Sequence, residues 1–102
     1  MKIIDKMGAQ GDVLFRRIDR LPEGGTEVKR KRGEQIVVAH SETGHHHAIA
    51  VAADEKMLTM GDPMVCYLSI GEPYADVEHQ RPYDTHETIR LPAGVFEVRR
   101  QR

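Results

Sequence analysis

EQIVVAHSETGHHHAIAVA, residues 34–52, is the stretch that decides the fold. Two apolar runs, EQIVVAH (34–40) and HHHAIAVA (45–52), flank Ser41-Glu42-Thr43-Gly44, a turn-forming tetrapeptide. Neither run reaches the eleven or more residues of a convincing helical period, and both are bounded by turn signals. They read as a β-hairpin with a four-residue loop. Strand alternation places Ile36, Val38 and His40 on one face of the first strand, and His45, His47, Ile49 and Val51 on one face of the second. The complementary face carries Val37, Ala39, His46, Ala48, Ala50 and Ala52.

The rest of the chain repeats this texture. DVLFRRI (12–18), TEVKRKR (26–32), KMLTM (56–60) and MVCYLSI (64–70) read as short strands, separated by the turns LPEGG (21–25), ADE (53–55) and GDP (61–63). TIRL (88–91), a Pro92-Ala93-Gly94 turn and VFEVRRQR (95–102) read as a last hairpin, and EPYADVEHQRPYDTHE (72–87) as an extended polar loop. No helical period runs through eleven or more residues. The expected fold is therefore all-β, a single domain over residues 1–102, with about seven to eight short antiparallel strands in a small barrel-like arrangement or a two-sheet sandwich.

Composition narrows the setting. Fifteen basic and 16 acidic side chains leave a net charge of −1, so no global field recommends nucleic acid or an anionic membrane. Lys29-Arg30-Lys31-Arg32 and Arg99-Arg100-Gln101-Arg102 are local basic runs, but alternation sends half of each to the opposite face. Solvated edge strands explain them, and a nucleic-acid partner is not expected. The single cysteine, Cys66, cannot form an internal disulfide, and the charged N-terminal segment is no signal peptide, which fits a cytoplasmic setting. No apolar run approaches the ~20 residues of a membrane-spanning helix.

Four of the six histidines fall within residues 40–47. His45 and His47, two apart on a strand, lie roughly 6.6 Å from each other along it and project from one side, so both imidazoles can meet one ion. With the loop at 41–44, His40 stands directly across from His45. Three imidazoles with an open position suit a divalent metal, zinc first, and with an added carboxylate also iron, nickel or manganese. His86 is the fourth proposed ligand, and Glu42, His79, Asp84 and Glu97 are further candidates for the open position. His46 faces away and is expected to be a bystander. No Ser-His-Asp or Cys-His arrangement is legible, so the sequence assigns no reaction.

Two resemblances accompany these residues. His45-x-His47 followed by Pro92-Ala93-Gly94 resembles the paired motifs of the cupin family, which implies a β-barrel holding one metal with three histidines and a glutamate. This chain departs from that pattern, with Ala50, Val51 and Ala52 where a cupin glutamate would stand and Glu97 where its last histidine would fall. Gly11-Asp12-Val13-Leu14, the TGHxH segment at 43–47, His86 and the LPxGxxxVRRQR-like segment from Leu91 resemble small uncharacterised bacterial and phage-encoded proteins. That likeness implies no activity.

A metal-binding β-protein is the leading reading. The alternatives are a structural or interaction module, phage- or prophage-associated, with incidental histidines, and a nucleic-acid-binding β-protein using its basic strands. Assembly is expected to be homo-oligomeric, because small alanines beside a histidine cluster call for a cover. Residues 54–87 also carry eight acidic and two basic side chains against positive flanks.

Overall fold

The computed structural model of the 102-residue chain describes residues 2–29, 31, 34–39, 47–49, 54–79 and 88–100, with His79 described by its backbone alone. These residues form no helix, and none is therefore long and apolar enough to cross a membrane. Nine strands make one sheet: β1 (Lys2–Ile3), β2 (Met7–Gln10), β3 (Val13–Ile18), β4 (Thr26–Glu27), β5 (Ile36–Ala39), β6 (His47–Ile49), β7 (Lys56–Thr59), β8 (Val65–His79) and β9 (Ile89–Arg100). The main path runs β2-β3-β9-β8-β6-β5, with β7 on β8, β4 on β7 and β1 on β9. Every pairing is antiparallel except the short β1–β9 ladder, which is parallel. The expected all-β class holds, but the sheet is not closed into a barrel: its path ends at β2 and β5 among the described residues.

Two strands are much longer than the short runs expected. β8 absorbs residues 72–79, which the sequence analysis assigns to a polar loop. The reason is period-two alternation with a polar outer face, for Ala75 and Val77 are buried while Glu72, Tyr74 and Glu78 are exposed. β9 likewise runs straight through Pro92-Ala93-Gly94, so this is a bend inside a strand and no hairpin turn. There the buried set changes parity, from Ile89 and Leu91 to Phe96 and Val98. The ladder to β8 shifts register at the same place, between Ile70–Gly94 and Tyr74–Pro92. Proline and glycine within strands mark such bends.

Gly94 meets a conformational demand at this bend. Its φ of +147° is one that only glycine adopts without strain, and a Cβ there would run into the Arg17 guanidinium. Arg17 donates from Nη1 to the Ala93 carbonyl (3.1 Å) and from Nε to that of Asp5 (2.6 Å), and lies 4.6 Å from the Phe96 ring centre.

The bend lets the two halves of the β8–β9 ladder serve different neighbours. Cys66 to Ser69 pair with β7, whereas Val77 and the backbone of His79 pair with β6. The residues buried by both halves gather into one core around Phe15, Ile49, Leu68, Val77, Leu91 and Phe96. Hydrogen bonds also cross between strands that are not ladder partners, among them Gln10 Nε2 to the Val77 carbonyl (2.9 Å) and Cys66 Sγ to the Val38 carbonyl (3.5 Å).

The histidine hairpin keeps its expected register at its base, where Ile36 faces Ile49 and Val37 faces Ala48. A register shift between Val37 and Ala39 then sets Ala39, not Val38, opposite His47. Ala48 has 0% exposure within this one chain, so its burial needs no second copy.

Candidate functional site

β2 and β3 are joined by Gly11-Asp12, a two-residue connection with Gln10 paired to Val13. Gly11 has φ +60°, the only positive φ in this turn, as a type II′ hairpin requires of its first central residue. The turn packs against β6: a Cβ on Gly11 would lie 3.4 Å from His47 Cε1. The tight turn thereby brings Gln10 and Asp12 to opposite nitrogens of a single imidazole.

That imidazole is buried, with His47 2% exposed and Gln10 3%. Gln10 Nε2 donates to the Val77 carbonyl, which turns its Oε1 toward His47 Nδ1 at 2.8 Å. An amide oxygen only accepts, so Nδ1 carries the proton and donates. In the neutral ring Nε2 then holds the lone pair. This nitrogen faces Asp12 Oδ1 at 3.6 Å, while Asp12 Oδ2 lies 3.6 Å from Arg100 Nε. Both separations exceed hydrogen-bond length. By contrast, two donors at about 2.0–2.1 Å from one tetrahedral zinc stand roughly 3.3 Å apart, so the His47–Asp12 spacing is close to that of two ligands on one ion. Asp12 is 52% exposed on its side chain, which keeps the pair in reach of solvent.

Of the predicted ligands, His47 is thus placed and His40, His45 and His86 lie outside the described residues, as do the bystander His46 and the candidates Glu42 and Asp84. The backbone of His79 pairs directly with that of His47. Glu97 is on the other side of the sheet from the core residues Phe96 and Val98, where it accepts from Arg16 Nη2 at 3.2 Å and stands 3.6 Å from Arg99 Nε. It belongs to a surface ion cluster and not to the histidine site. Among the described residues no three His, Cys, Asp or Glu side chains gather in a metal-binding group. Arg99 and Arg100 divide between the two faces, one to Glu97 and one to Asp12, as alternation of the basic run requires.

Sequence reading missed Gln10, Asp12 and Arg100. Gly11-Asp12 carried a hairpin signal, but pairing the turn with His47 depends on contacts 35 and more positions apart, which no local pattern encodes.

Cys66 lines a separate cavity between β5 and the β7–β8–β9 half. Burial disfavours its thiolate and pushes the thiol from its ordinary 9.0 up to about 12, so it is no nucleophile at neutral pH. A raised folded-state pKa stabilises the fold fully below 9.0, and that contribution is lost as pH climbs from 9.0 toward about 12. Stability should accordingly fall by up to about 1.4 kcal/mol per pH unit in that window. Urea unfolding at about pH 8 and about pH 10.5 checks this, with Cys66→Ala as the variant expected to lose less.

One protein family matches residues 9–101: a domain of unknown function, DUF8820. No curated protein matches the chain, and no solved structure does.

Proposed function

The chain belongs to the DUF8820 family of domains of unknown function, and we propose that within it this protein is a metal-binding β-protein holding one divalent ion at His47. The observation that carries the reading is the fixed tautomer of His47. An imidazole that ligates a metal through one nitrogen almost always donates its other N–H to an oxygen, and Gln10 Oε1 provides that acceptor. Asp12 is the second ligand, at a separation suited to a shared ion. His45, His40 and His86 are the candidates for the remaining positions by their places in the sequence. Nitrogen donors with one carboxylate favour zinc, with iron, nickel and manganese as the alternatives. The cytoplasmic setting rests on the lone, buried Cys66. A homo-oligomer is retained on the charge asymmetry alone, since Ala48 is covered within one chain, and light scattering at micromolar concentration decides it.

The test uses untagged protein purified without a metal-affinity column. Elemental analysis is expected to find one zinc per chain, or calorimetry to find one taken up after chelation. His47→Ala and Asp12→Asn should each weaken zinc binding about ten-fold or more, since each removes a donor atom, while His46→Ala leaves it unchanged. Equal losses at positions 46 and 47 would mean that the histidine run binds as a flexible tag. No uptake of any of the four metals would end the proposal.

A further inference from the structure

The cavity that Cys66 lines is a second site, distinct from His47. It has a volume of about 270 Å³, and among its walls are Val38, Met57, Met64, Cys66, Val98 and Arg100. It lies where the sheet fails to close, between β5 on one half and β7, β8 and β9 on the other.

Its chemistry is one-sided. Aliphatic and thioether groups share the walls with the Thr59 hydroxyl, and the thiol of Cys66, kept in its uncharged form, is turned to the Val38 carbonyl. Two methionines give the lining adaptable, polarisable contact surface. Against these, Arg100 brings a guanidinium whose side chain is 24% exposed, on the inward-facing side of β9 with Val98. Its Nε stands beyond hydrogen-bond length from Asp12, and a guanidinium offers five N–H donors in a fork that matches a carboxylate. The other charged lining residue, Asp62, is exposed, and its Oδ1 already accepts the Met64 N–H at 2.8 Å within its own turn.

We propose that this cavity binds a small straight-chain monocarboxylate, with the alkyl chain among the valines and methionines and the carboxylate on Arg100. Volume sets the length. At about 30 Å³ for each water-sized group the space accommodates at most roughly nine, so octanoate marks the upper end of the range. Charge sets the head group, because an ammonium or a bare hydroxyl gives Arg100 no bidentate acceptor. The cavity adjoins the proposed metal site at Arg100, which stands 3.6 Å from Asp12, and chelator is present throughout the test so that the octanoate result does not depend on a bound ion.

Octanoate, octylamine and octanol are titrated calorimetrically into the full chain in chelator, and the methionine methyl signals are followed by NMR. Octanoate should bind at one site and shift Met57 and Met64 while leaving Met7 in place, with octanol weaker and octylamine silent. Arg100→Gln should weaken octanoate about ten-fold or more and leave octanol unchanged. Arg100→Lys, which keeps the charge and loses the fork, should fall between. No octanoate binding at millimolar concentration, octylamine binding as tightly as octanoate, or shifts confined to other methionines would each overturn the assignment.

Discussion

Phe96→Ala should lower the free energy of unfolding by about 3–5 kcal/mol, read from urea denaturation followed by circular dichroism. Phe96 is fully buried and stands in mid-sheet, paired with Leu68 of β8 on one side and Arg17 of β3 on the other. Neighbouring strands bonded on both sides cannot move in to fill the space, so the cavity cost adds to the lost transfer energy. Arg17 also loses the ring beneath its guanidinium. Domains of this size are stable by about 5–15 kcal/mol, so the variant would sit near the edge of folding. Exposed Met7, replaced in the same way, is the control and should change stability by no more than about 0.5 kcal/mol. A loss below about 1 kcal/mol for Phe96→Ala would mean that the two halves of the sheet do not meet around it.

Gln10→Leu is expected to cost about 2–4 kcal/mol although it trades a polar side chain for an apolar one. Leucine conserves much of the bulk but strands two buried groups at once, the Val77 carbonyl and the His47 Nδ1–H. Each unsatisfied partner costs about 1–3 kcal/mol. The same change frees the imidazole to choose its tautomer, so zinc affinity should drop about 10–100-fold, the range for an outer-shell partner. Gln10→Glu separates the contributions, for it keeps the acceptor to His47 and removes the donor to Val77. Nitrogen-15 shifts of the His47 ring report the tautomer directly. A Leu variant as stable as the parent, with Nδ1 still protonated, would remove Gln10 from the account of this site.

These two positions also show what local pattern can and cannot carry. Loop length and alternation were enough to register Ile36 with Ile49 and Val37 with Ala48, because a hairpin is a local object. The same rules failed for residues 72–79 and 92–94, where polar outer faces and prolines imitate loops inside long strands. His47 was singled out through its neighbours in sequence. Gln10, Asp12 and Arg100 were not, since they meet it only after the sheet has bent and the β2–β3 turn has come to rest on β6.

The place of β9 in the sheet bears on how the protein folds. This strand lies between β3 and β8 and also holds β1. Among the described residues, the β2–β3 hairpin has no other ladder to the remainder of the main path. The core cannot close without it, however early Phe15 or Leu68 is in place, because Ile89, Leu91, Phe96 and Val98 all come from this one strand. β3 meets β9 through pairs as distant in sequence as Val13 and Arg100, so folding is dominated by non-local pairings and is expected to be slow for a domain of this size.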